Sequence, residues 1–134
     1  MCSIGQALRS RKLNLWCMLA VAVLYSLNKL VLIPHATGAV GYFCRCYLND
    51  LACPLFFLGY CQIFLIWIGR ELVYYRHCLL WGMAGGLVWE YIAPLLNARA
   101  VSDLLDLLCY FAGTTVYFIL LRRELRQRPV DFAR

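Results

Sequence analysis

The sequence predicts an all-α integral membrane protein: an antiparallel bundle of four transmembrane helices with both termini in the cytoplasm. Three observations lead there. Of its 134 residues, 63% are hydrophobic and the mean hydropathy is +0.68, well above the roughly half-apolar make-up of a soluble domain. The apolar residues gather in four stretches, about 13–33, 51–68, 79–96 and 104–121, and a spanning helix needs about 20 such residues. The basic residues alternate with those stretches, and Lys and Arg mark cytoplasmic segments.

Arg9, Arg11 and Lys12 precede the first stretch, Arg70 and Arg76 separate the second from the third, and Arg122, Arg123, Arg126, Arg128 and Arg134 follow the fourth. The other two connections carry only Arg45 and Arg99, with Lys29 near the outer end of the first span. The net charge of +6 is therefore a cytoplasmic flank, and a nucleic-acid partner is excluded. The spans nearly exhaust the chain, so residues 1–134 form one domain.

The first helix carries Trp16 at its inner end and Tyr25, Asn28 and Lys29 toward the outer end. A cleaved secretory signal is the alternative for this span, but its apolar run is long and no clean small-x-small site follows it. Pro34, Gly38 and Gly41 end the helix and predict an outer loop through Tyr42, Phe43, Arg45 and Tyr47. Asn49 and Asp50 then fit a helix N-cap, where a side-chain oxygen takes exposed backbone amides. Pro54 falls in the first turn of that second helix, where proline is tolerated.

The inner hairpin, 69–77, mixes charge with aromatics as an interfacial anchor. Gly82 and Gly86, four apart in the third span, allow close helix approach; Gly59 and Gly113 serve likewise. Glu90 lies roughly 18 Å along this helix from Cys78, past the middle of a hydrocarbon core about 30 Å thick. A carboxylate there is protonated, paired or facing a wet cavity. Pro94 ends or kinks the helix, and Asn97 to Arg99 make the second outer loop. Ser102 or Asp103 caps the fourth helix, Asp106 shares a face with Asp103, and Tyr110 and Gly113 continue that face inward.

Eight cysteines form no zinc spacing. Cys44 or Cys46 can pair with Cys53 in an oxidising compartment; free thiols are the simpler reading. No nucleophile stands beside a base and no phosphate-binding loop follows a strand, so enzymatic activity is not asserted.

In a four-helix bundle the outer helix ends converge, and so do Asn28, Lys29, Asp50, Glu90, Asp103, Asp106 and Tyr110, with Arg99 and Arg45 above them. Ionisable groups in a membrane are functional candidates. Besides the bilayer itself, the partner expected of this outward-facing pocket is an envelope lipid or a lipid-linked or antibiotic ligand. Lys29, Arg45 and Arg99 would hold phosphate, and the carboxylates would orient hydroxyls, act as acid and base, or bind a divalent cation such as magnesium. No other cofactor is evident. Two alternatives stand beside it. One is a structural or accessory subunit with Lys29–Glu90 and Arg99–Asp103 ion pairs; the other is a small ion or solute transporter. Against transport, the inner half of each span shows almost no polar residue. Oligomeric state stays open, since a second copy can help enclose a pocket.

The stretch from Arg99 through Ser102, Asp103, Asp106 and Tyr110 to Gly113 resembles the end of the VanZ-like family of small bacterial membrane proteins. Glu90, Arg99, Asp106 and Gly113 fit that family's pattern in order, and Asp50 is similar to an acid opening its second span. Tyr110 stands where asparagine is usual, the glutamine expected soon after Glu90 is missing, and Tyr117 replaces a glycine. The resemblance covers about half the chain. It implies a multipass protein of the bacterial cytoplasmic membrane, linked to glycopeptide-antibiotic tolerance and envelope phenotypes, with no settled biochemical activity.

Overall fold

The computed structural model describes residues 12–96 and 104–126, and every regular element among them is helical. The first helix, α1 (Lys12–Leu27), passes through one wide π turn (Asn28–Leu32) into a final short turn, α2 (Ile33–His35). Within the π turn the Ile33 amide reaches back to the Asn28 carbonyl, a five-residue step that widens the helix. Ala36 and Thr37 are extended and Gly38 takes φ +62°, a conformation nearly free of strain only for glycine. The chain then reverses.

The segment beyond this reversal is a helix, which corrects the expected outer loop. α3 (Gly38–Cys46) and α4 (Leu48–Trp67) are one helical run bent at Tyr47, where φ is −118°. Helical hydrogen bonds continue across the bend, Tyr47 N–H to Phe43 O at 2.9 Å and Leu51 N–H to Tyr47 O at 2.9 Å. Gly41 does not break the helix; it packs against the Ala36 carbonyl, which a Cβ would strike. Two consequences concern the site. Asp50 lies inside a helix and caps nothing, and Pro54 is an interior proline with no amide hydrogen to give the Asp50 carbonyl four residues back.

After Trp67 the chain turns through Gly69, at φ +78°, into α5 (Tyr75–Leu96); the last helix is α6 (Leu104–Arg126). Three stretches among the described residues, Lys12–His35, Gly38–Trp67 and Leu105–Arg126, are long and apolar enough to cross a membrane.

Contacts between the described helices show how they pack. α1 runs against α6, with Tyr117 bonded to Asn14 and the Leu13 amide to Glu124. α5 runs against α6, with Gly86 under the Tyr110 ring and Gly82 against Thr114. α4 runs alongside α6, where a Cβ on Gly113 would meet the Leu51 carbonyl and, at 3.0 Å, the Pro54 ring. Gly59 abuts the backbone of Asn14 and the side chain of Met18. The four glycines expected at helix contacts all occupy them. α4 touches α1, α5 and α6.

The surface of the bundle is unlike that of a soluble protein, with many large apolar side chains exposed. Leu30 and Leu95 are 75% and 84% exposed while Asn14, Asn28, Gln62 and Thr114 are fully buried. Apolar side chains coat the bundle, and a few polar groups are buried among the apolar ones inside it. The apolar core, Leu58, Leu72, Cys78, Tyr117 and Leu121, sits toward the basic end, which carries Arg70, Arg76 and Arg122. Asp50, Glu90 and Asp106 lie at the opposite, acidic end.

Candidate functional site at the acidic end

Asp50 is the centre of this end. From α6 the Tyr110 hydroxyl donates to its carboxylate at 3.5 Å, a long hydrogen bond. Tyr110 is 2% exposed, and it reaches this place because Gly86 leaves room for its ring. Asp106 and Glu90 act electrostatically on both Asp50 and Tyr110. All three carboxylates are half-buried. Three helices thus bring three acids and one phenol into electrostatic range.

Asn28 joins through a second layer. Turned inward within the π turn, its amide nitrogen donates to Cys44 O at 2.8 Å and to Asn49 Oδ1 at 3.1 Å. That fixes Asn49, the neighbour of Asp50, and ties the two arms of the α1–α4 hairpin. The Asn28 oxygen is buried with no partner among the described residues.

The site opens sideways. α1 and α5 leave α4 uncovered between them, forming a cleft of about 460 Å³ lined by Tyr25, Ser26, Asn49, Asp50, Phe56 and Trp89 among others. A second cleft of about 370 Å³ lies between α4 and α5, with Phe57, Gly85, Trp89 and Tyr110 in its walls. Cys53 and Trp89 border both. Asn49 and Asp50 are the polar end of a space that is mainly apolar and aromatic apart from Ser26. This geometry can hold a polar head beside the carboxylates and an apolar body against the helices.

Other expectations fare differently. Lys29 is exposed and lines neither cleft, and no ion pair joins it to Glu90 among the described residues. Arg45 is likewise exposed and outside both clefts. Arg99 and Asp103 lie outside the described residues, as does their expected pair. No three His, Cys, Asp or Glu residues among those described could hold a metal ion; the acids share a field without forming a coordination cage. The described cysteines are free. Cys44 and Cys46 share a helical run with Cys53, which spaces them about 10 Å or more along its axis, beyond the reach of a disulfide.

Sequence reasoning missed Asn49, Trp89 and Cys53 as lining residues. It also missed the polar side chains deep in the bundle, because Asn14, Gln62 and Thr114 belong to separate helices and their runs are otherwise largely apolar. No family model matches this chain, and neither a curated protein nor a solved structure does.

Proposed function

We propose that the protein is a four-span membrane protein that binds the polar head of an amphiphile at Asp50, with the apolar part lying in the lateral clefts. In this reading α5 is the remaining span; its 22 residues give about 33 Å of helix. The basic end is cytoplasmic by its Arg content, and the acidic end faces outward. One observation carries the reading: the Asp50 carboxylate, bonded by Tyr110, lies with Asn49 at the polar end of a largely apolar, laterally open cleft of about 460 Å³. Carboxylates in such a place are costly, and a ligand that supplies hydrogen-bond donors or positive charge offsets that cost. Lys29 and Arg45 are outside the clefts, so the favoured head group is amine- or hydroxyl-bearing, as in an aminolipid or a lipid-linked sugar. The resemblance to VanZ-like proteins supports the same setting, the bacterial cytoplasmic membrane.

The test is the melting temperature of the detergent-purified protein, wild type beside Asp50→Asn and Glu90→Gln. Aminolipids, lipid-linked sugars, Mg²⁺ and Ca²⁺ are added in turn. An amphiphile that raises the wild-type melting temperature and leaves Asp50→Asn unmoved supports the reading. If only the variants lose stability and no addition shifts wild type, the acids are structural.

A further inference from the structure

The bundle interior buries polar side chains where the sequence suggests almost none. Asn14, Gln62 and Thr114 are fully buried. Asn14 Nδ2, Gln62 Nε2 and Thr114 Oγ1 have no hydrogen-bond partner among the described residues. One buried unpaired group costs about 1–3 kcal/mol, and native structures leave few of them. Three in one bundle of four helices point to water, which fills polar interior sites and satisfies them.

Asn14 and Thr114 belong to one seam along α6. Tyr110, Thr114 and Tyr117 are spaced i, i+4, i+7 on the inward face of α6, a single stripe of hydroxyls, and all three are buried. At the top the Tyr110 hydroxyl meets Asp50. Lower down, the Tyr117 hydroxyl donates to Asn14 Oδ1 at 2.7 Å. Next to Asn14, the Leu13 amide donates to Glu124 Oε1 at 3.3 Å. The stripe thus has a carboxylate group at each end and hydroxyls and amides between. Further titratable side chains along it are thiols: Cys53 beside Tyr110, Cys78 in the core with Tyr117, and Cys17 within electrostatic range of Glu124.

We propose that this seam holds ordered water and passes protons between the Asp50–Glu90–Asp106 end and Glu124. A hydroxyl or a water accepts one proton while giving up another, so a proton taken up by a carboxylate at one end leaves from the other. Nothing is consumed, and the membrane potential or a pH difference supplies the drive. The core residues Leu58, Cys78 and Leu121 close around Tyr117, which favours protons over hydrated cations. The proposal rests on residues other than those of the amphiphile clefts, Asp50 and Tyr110 excepted, and holds whatever the ligand is.

The experiment uses the full chain reconstituted into phosphatidylethanolamine–phosphatidylglycerol liposomes. A trapped pH-sensitive dye reports protons, and a potassium diffusion potential set with valinomycin drives them. Wild type is expected to acidify or alkalinise the lumen faster than protein-free vesicles, with slower flux in deuterated buffer. Thr114→Val, which keeps the shape facing Gly82, and Tyr117→Phe are each expected to cut the rate roughly tenfold, the effect of removing one hydrogen-bonding link; Thr114→Ser retains it. A wild-type rate equal to that of empty vesicles overturns the proposal. So does unchanged flux in either variant when it elutes as folded protein. If both variants fail to fold, wild-type flux indifferent to deuterium overturns it.

Discussion

Tyr117 on α6 and Asn14 at the start of α1 meet in a 2.7 Å hydrogen bond between residues 103 positions apart, with neither side chain exposed. Removing the hydroxyl alone in Tyr117→Phe strips Asn14 Oδ1 of that donor and is expected to cost about 1–2 kcal/mol. Replacing both, Asn14→Leu with Tyr117→Phe, removes the polar pair together and is expected to recover most of that loss. Melting temperatures of the four proteins in one detergent give the coupling directly. A double variant no more stable than the worse single would show that the pair is not the source of the cost.

Gly113 and Gly85 are both crowded, for different reasons. An added Cβ at Gly113 meets the Leu51 carbonyl and the Pro54 ring, neither of which can swing away. At Gly85 the obstacle is the Phe57 ring at 2.7 Å, a side chain bordering an open cleft. Gly113→Ala is expected to cost about 1–3 kcal/mol as overpacking against a rigid neighbour, and Gly85→Ala distinctly less. Equal losses of thermal stability would refute this distinction.

Gln62 pins the basic-end hairpin, since its Oε1 accepts the Leu72 amide at 2.7 Å inside the bundle. Gln62→Leu leaves that amide buried and unpaired, at about 1–3 kcal/mol. Hydrogen exchange at Leu72 is expected to speed up while amides at the acidic end of α4 stay protected. Unchanged exchange at Leu72 would mean that another group takes over the bond.

The proposed orientation is open to thiol labelling. Cys46 is exposed at the acidic end. With Cys46 as the only cysteine, a membrane-impermeant maleimide added to intact cells is expected to label the protein. A lone cysteine at Arg126→Cys is expected to react only after the membrane is opened. The reverse pattern would invert the topology and turn the acidic site toward the cytoplasm.

Much of the helical plan is legible in the sequence, because apolar runs and basic flanks respond to the bilayer and not to distant residues. The convergence of Asp50, Glu90 and Asp106 is legible for the same reason: each lies toward the acidic end of its own helix. The N-cap expected at Asp50 fails because Asn-Asp before an apolar run has that local pattern whether or not a helix already precedes it. Whether a helix continues through Gly41 and Tyr47 is decided by the Ala36 carbonyl and by packing, which local sequence does not record. Asn14, Gln62 and Thr114 give no signal individually. Their association exists only across helices, though the Tyr110–Thr114–Tyr117 spacing on α6 is readable as a polar face.

The bent run from Gly38 to Trp67 holds 30 residues, about 45 Å of helix against a hydrocarbon core near 30 Å. Such an excess is taken up by tilt, by the bend at Tyr47, or by a thicker bilayer. The hydrocarbon thickness therefore sets how deep Asp50 lies. Thin membranes would raise the carboxylate toward the headgroups and thick ones would bury it, so acyl-chain length becomes a control on this site independent of any ligand.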